Sequence, residues 1–202
     1  MRNLIPILAI VLALGSTAAA AQRPLFETGS EFAERPRQHR VRPNAELVRL
    51  VITARGRDDV PMFDECLAEN HLPPGDYASL MYAVPIPAGP HRTLWFVRGS
   101  LQYWCIGFYG AHSFSYFLID ERAGREPRYR LVFDEGGDYF AVYPSRHNGL
   151  NDIQPEACIM TECSGARMVY DGGRYHAIWC IRTTWDAHHR EIRRRMPCQR
   201  QG

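Results

Sequence analysis

The chain contains no lysine. All 24 of its basic residues are arginines, so every cationic contact it makes goes through a planar guanidinium suited to bidentate pairing. It also lacks an N-x-[ST] sequon, a C-x-x-C pair, an H-E-x-x-H motif and a G-x-S-x-G turn. The second absence removes the usual zinc knuckle, the third the zinc-protease helix, and the fourth the nucleophile elbow of the α/β-hydrolases. A strong excess of charge of one sign is missing too. A formal net charge of +2 creates no long-range field toward nucleic acid or an anionic membrane. Long apolar runs are missing beyond the first two dozen residues, so no later segment reads as a spanning helix.

What is present begins with an address. "MRNLIPILAIVLALGSTAAAAQ" places Arg2 before an apolar stretch from Leu4 to Leu14 and a small-residue site at Ala19–Ala21. That is the pattern of a secretory signal peptide over 1–21, and the apolar run is too short to cross a bilayer. Residues 22–43 carry Pro, Arg and Glu without an apolar period and read as a flexible leader. The remaining span, 44–202, is long enough for a single globular domain with its own core.

Six cysteines follow: Cys66, Cys105, Cys158, Cys163, Cys180 and Cys198. An even count in an exported chain reads as three disulfides. Pairing in sequence order is expected. Cys158 and Cys163 can meet across a tight loop, Cys180 and Cys198 can dock the C-terminal segment, and Cys66 is then left with Cys105. A bridge from Cys163 to Cys180 across the "YDGGRY" turn is the alternative.

Asn44 followed by Leu47, Leu50 and Val51 predicts a capped helix, and "MFDECLAEN" a second helical turn. After Pro74 the pattern changes to short aromatic and β-branched segments separated by turn residues. "YASLMYAVPI", "RTLWFVRGS", "FSYFLIDER", "YRLVFDEGG", "DYFAVYPS", "NDIQPEA", "ARMVYDGG" and "RYHAIWCIRT" read as antiparallel strands. Pro85 and Pro87 assign theirs to an edge. "FDEGGDYFAV" and "YDGGRYHAIW" read as hairpins. Asp186 predicts the cap of a short basic C-terminal helix. The expected fold is therefore α+β, an antiparallel sheet, small sandwich or meander with short helices at each end, stapled by disulfides.

Candidate chemistry is sparse. "SRHNGLNDI" is similar to the last half of the calcium loop of FG-GAP or VCBS-type hairpins, D-x-D-G-D-G-x-x-D-[LI], with Asn148, Gly149, Asp152 and Ile153 on the pattern. Pro144 and Arg146 stand at its first two acidic positions, so the resemblance implies a surviving turn without a competent cation cage. Tyr170, Asp171, Gly172 or Gly173, Arg174 and Tyr175 resemble a following "YDGRY" strand. Together with "YWCIGFYGAHSFSYFLIDE" they are similar to small secreted proteobacterial proteins over residues 75–182. That likeness implies a fold rather than an activity.

His188 and Glu191 would share a face of the expected C-terminal helix, beside His189, but no third metal ligand is placed. His112 to Ser115 ("HSFS") puts a histidine beside hydroxyls with no aspartate spaced for a triad. Glu65, Asp120, Glu121, Asp134 and Glu135 are the carboxylates that a glycosidase would have to pair. No cofactor, metal or nucleic-acid partner is expected, and no spanning segment after the signal. The preferred function is a non-enzymatic binding protein of the bacterial envelope, periplasmic or secreted, with a protein or glycan partner. An inhibitor or immunity-type partner of a cell-wall-degrading enzyme is one form of it. A hydrolase of peptidoglycan or glycans is the rival, separable from it by a cleft holding paired carboxylates.

Overall fold

The computed structural model describes residues 22–29, 39–100, 102–103, 105–109, 113–159 and 161–198. The expected signal segment 1–21 and His112 lie outside them. The elements run β1 (Phe26–Gly29), α1 (Ala45–Arg55), α2 (Val60–Glu69), β2 (Met81–Gly89), β3 (Arg92–Gly99), β4 (Phe114–Arg122) and β5 (Tyr129–Gly137). They continue with β6 (Tyr139–His147), β7 (Leu150–Ile159), β8 (Glu162–Tyr170), β9 (Tyr175–Trp185) and β10 (Glu191–Met196). Among the described residues ten strands form two antiparallel sheets, a four-stranded one ordered β2-β3-β4-β5 and a six-stranded one ordered β1-β6-β7-β8-β9-β10. With the two helices the fold is mixed α+β, and the sheets are more extensive than the sequence reading described.

Alternation decides how the layers stack. The inward face of the four-stranded sheet carries Phe96, Phe114, Tyr116 and Phe133, and that of the six-stranded sheet carries Phe26, Phe140 and Tyr175. Their rings interlock across the gap. Phe96 lies 4.9 Å from Phe26 and 5.2 Å from Phe140, Tyr116 lies 4.8 Å from Phe140, and Phe133 meets Tyr175 edge-on at 5.8 Å. Such pairs each add about 0.5–1.5 kcal/mol beyond area burial. The opposite face of the four-stranded sheet presents Val97, Phe117 and Val132, and α1 lies against β5.

α1 begins as the sequence predicts. Asn44 Oδ1 accepts the Leu47 amide at 3.0 Å, Leu47 and Val51 are buried one turn apart, and Gly56 closes the helix at φ 92°. In α2, Phe63, Cys66 and Leu67 are buried, and Phe63 stacks on Phe108 at 4.8 Å. The disulfide between Cys66 and Cys105 fastens this helix. The other two join Cys158 to Cys163, directly opposite one another on β7 and β8, and Cys180 to Cys198. The pairing follows sequence order, and the Cys163–Cys180 alternative is not formed. Pro85 and Pro87 sit on β2, an edge strand as read.

Three expectations fail. The stretch 22–43 contains β1, whose Phe26 is fully buried opposite Val142, while Val41 bridges Ala83. Four alternating residues suffice because Phe26 and Thr28 face the core and Glu27 accepts a hydrogen bond from Tyr139. "FDEGGDYFAV" is not a hairpin. Gly137 ends β5 opposite Phe114, and Tyr139 already belongs to the other sheet. A Cβ on Gly137 would stand 2.6 Å from the Glu156 carbonyl oxygen, so glycine lets the two sheets approach where the chain crosses. The C-terminal helix is absent as well. Asp186 accepts the His188 and Arg190 amides in a turn, and Glu191–Met196 returns as β10 along β9. Pairing with β9 and the Cys180–Cys198 bond outweigh the helical propensity of a short exposed arginine run.

Candidate functional site

The loop that resembles a calcium site is an ordinary tight hairpin turn. Asn148 and Gly149 adopt φ 47° and 80°, the left-handed pair that a two-residue turn between β6 and β7 requires. Asp152 does not point into it. Its side chain emerges on the outward face of the six-stranded sheet and is almost fully buried. There Oδ2 accepts from Ser145 at 2.5 Å and from Arg167 at 3.3 Å, and Oδ1 lies 2.6 Å from His147 Nδ1. Arg167 in turn stacks over Tyr143 at 3.4 Å. Both oxygens are committed to protein donors, and Pro144 and Arg146 bring no carboxylate. Ser145 donates to Asp152 rather than engaging His147, so the three side chains form an anchoring hub without a nucleophile–base relay.

The sequence carboxylates scatter. Glu65 is exposed on α2. Asp120 is enclosed by arginines, and Glu121 accepts from Trp95 and Arg128. Burial acts to raise Glu121, but the Trp95 and Arg128 hydrogen bonds prevail and hold it below its ordinary value. Asp134 and Glu135, adjacent on β5, point to opposite faces. Both are held above the usual carboxylate range by desolvation, with the Asp134 charge adding to the effect on Glu135. His188 and His189 are exposed in the β9–β10 turn, off any helix. Among the described residues no three His, Cys, Asp or Glu side chains converge to hold a metal ion.

A concavity between the two sheets was not foreseen. Because one sheet has six strands and the other four, β8–β10 extend past β5, leaving a trough of about 810 Å³. Its wall is the end of β5 at Glu135 and Gly136. Its floor is the inward face of β7–β9, where Ala157, Ser164, Ala166, Met168 and Ala177 line up by the pleat, and Pro197 and Cys198 close one side. Small floor side chains make it shallow. Glu156 also borders the trough, yet its carboxylate lies on the outward face, bonded to Gln154 at 2.6 Å and to Arg193. Glu135 therefore stands without a carboxylate partner there, and it has no hydrogen-bond or ion-pair partner among the described residues.

The overhanging strands are unusually apolar for a surface. Ile178 is 49% exposed, Trp185 44% and Met196 40%, with Ile192 and Ile159 nearby. Arg195 lies 4.6 Å over the Trp179 ring. Ile159, Ile192 and Met196 share the inward face with the trough floor, whereas Trp185, Trp179 and Arg195 lie on the outward face, and exposed apolar side chains beside a concavity mark an interaction surface more often than plain solvent-facing sheet. The signal available in sequence was the apolar content of the "HAIW…TTW…EIRRRM" run, but only the unequal sheet widths turn it into an open face. No family model matches the chain, nor does any curated protein or solved structure, so its function is read from this geometry alone.

Proposed function

We propose that the protein is an exported, non-enzymatic binding protein of the bacterial envelope that holds an extended segment of a protein partner in the trough beside β5. The observation that supports it is the trough itself: a shallow floor of small side chains, exposed apolar residues along the overhang, and a wall strand with one free edge. Among the described residues β5 pairs only with β4, so its other edge keeps backbone donors and acceptors available to an added strand. Glu135 at the wall would meet a basic residue of that segment. A partner of this kind includes a cell-wall-degrading enzyme that the protein blocks.

The three disulfides fit an oxidising compartment, and no helix among the described residues is long and apolar enough to cross a membrane. Periplasmic residence after cleavage at Ala21 is the address we propose, checked by N-terminal sequencing that begins at Gln22. The hydrolase reading lacks its pair of carboxylates, since Glu135 and Glu156 lie on opposite sides of the six-stranded sheet.

The test compares the mature protein with Ala177→Arg, which fills the floor while leaving the sheets intact. Proteins captured from periplasmic extract by the wild type and lost with Ala177→Arg support the reading, once one of them binds the purified wild type directly. Clearing of a peptidoglycan suspension that Glu135→Gln abolishes would replace it with the hydrolase.

A further inference from the structure

At the end of the sandwich far from the trough, four charged residues share the inward face of the four-stranded sheet. Arg92 stands opposite Arg122, and Asp120 opposite Arg130. The Asp120 side chain is fully buried, and Arg92 grips it in bidentate fashion, with Nε 2.7 Å from Oδ1 and Nη2 2.8 Å from Oδ2. Arg122 Nε adds a third bond to Oδ2 at 2.8 Å, and Arg130 Nη2 stands 3.9 Å from the same oxygen. Three guanidiniums thus face one carboxylate. No other acid on this face offsets them. Glu121 points to the opposite face and is taken by Trp95 and Arg128. Asp171, in the neighbouring β8–β9 turn, spends Oδ1 on the Gly173 and Arg174 amides, and its Oδ2 lies 3.9 Å from His176.

The three arginines are not equivalent. Arg92 also donates to the Asn148 carbonyl, and Arg130 to the Tyr170 hydroxyl and the Gly172 carbonyl, so these two tie the turns of the six-stranded sheet to the four-stranded one. Arg122 makes no such tie. Its only side-chain hydrogen bond among the described residues runs from Nε to Asp120, leaving Nη1 and Nη2 without acceptors on a side chain 40% exposed. Arg130, 39% exposed, likewise keeps Nε and Nη1. Holding like charges around one buried carboxylate is unfavourable unless a further anion shares them. Side-by-side guanidiniums with spare N–H groups match the oxygens of a tetrahedral oxyanion, which accepts two parallel hydrogen bonds from each fork.

We propose that Arg122 and Arg130, held by Asp120, form a binding site for a doubly charged oxyanion, as in a phosphate group. The site is separate from the trough and stands or falls independently of the function proposed there. Two charges match the surplus of two guanidiniums. A free phosphate ion and a phosphate monoester share this chemistry, and they differ in whether the β6–β7 and β8–β9 turns leave room for the organic part.

The experiment is calorimetric titration of the mature protein at low ionic strength with inorganic phosphate and, separately, with O-phosphoserine, at pH 8 and pH 5. A phosphate monoester loses its second charge near pH 6, to an approximation, so its affinity should fall about tenfold between pH 8 and pH 5. Sulfate, doubly charged at both values, should not weaken. Arg122→Gln should lose at least tenfold in affinity for every anion while near-UV circular dichroism stays that of the wild type. Arg49→Gln, on the outer helix, should bind normally. Binding of inorganic phosphate without O-phosphoserine assigns the site to the free ion, and equal binding to an ester. No heat with phosphate or sulfate at 10-millimolar order, or wild-type affinity in Arg122→Gln, would overturn the proposal.

Discussion

Asp120 and Asp152 are both nearly inaccessible aspartates bonded to arginine, and they differ in what surrounds them. Asp152 lies on the outward face of the six-stranded sheet with one arginine, one histidine and one hydroxyl, and its contacts close on themselves. Asp120 lies between the sheets at their rim with three arginines, two of which reach solvent. Equal burial does not mean equal role. The count of cations around a carboxylate separates a finished anchor from a centre with charge to spare.

Removing the charge should expose the difference most clearly at Asp120. Asp120→Asn leaves Arg92, Arg122 and Arg130 facing one another. It should cost about 3 kcal/mol, near the low end for breaking a buried pair because Arg122 and Arg130 can turn to solvent. Urea unfolding at pH 7 measures it, and added sulfate should recover part of the loss. Asp152→Asn should cost less, about 2 kcal/mol, the scale of charged hydrogen bonds, with no recovery by sulfate. Equal costs and equal sulfate responses would erase the distinction between the two sites.

Acid sharpens the same contrast. Burial acts to raise the Asp120 carboxyl, but the Arg92 and Arg122 hydrogen bonds prevail and hold it below its ordinary value of 3.8. Its folded value lies below the unfolded one, so its contribution is complete above about pH 4 and drains away as pH falls through the folded value. Glu121 behaves alike. The wild type should lose stability steeply below about pH 4, and Asp120→Asn less so. Glu135 has the opposite sign, because desolvation raises it. Its ionisation opposes folding as pH rises, so Glu135→Gln should stabilise slightly at pH 7, within about 0.5 kcal/mol for so exposed a side chain, and leave pH 3.5 unchanged. The smallest effect is expected from calcium. With Asp152 committed to Ser145, His147 and Arg167, melting curves in millimolar calcium and in chelator should overlay, whereas a bound cation at 100 times its dissociation constant would add about 2.7 kcal/mol.

Most of the strands were legible because their period was undisturbed. "FSYFLIDER" and "YRLVFDEGG" coincide with β4 and β5 to the residue. Local chemistry also revealed Asn44 as a cap and Asn148–Gly149 as a turn. What stayed hidden depended on long-range pairing. β1 is too short to announce itself without Val142 and Phe140 opposite it. Gly136–Gly137 looks like a hairpin until the Glu156 carbonyl shows which sheet comes next. β10 reads as a helix until β9 claims it. The trough and the arginine cluster are further from sequence still. The first arises from a difference in strand number between two sheets, and the second from register that aligns Arg92, Asp120, Arg122 and Arg130, residues up to 38 apart in the chain.

β10 carries a consequence for self-assembly. Among the described residues it is the outermost strand of its sheet, paired on one side only, and such an edge is a template on which identical chains can polymerise. Here the template reads Glu-Ile-Arg-Arg-Arg-Met. Two copies meeting edge to edge in antiparallel fashion would set Arg193, Arg194 and Arg195 against their counterparts, and like charges placed opposite one another repel. The Cys180–Cys198 bond keeps that charged strand in place as the sheet's last member, so the more apolar β9 is never the edge on offer. An arginine triplet that resembles a solvated tail thereby acts as a guard against fibre growth.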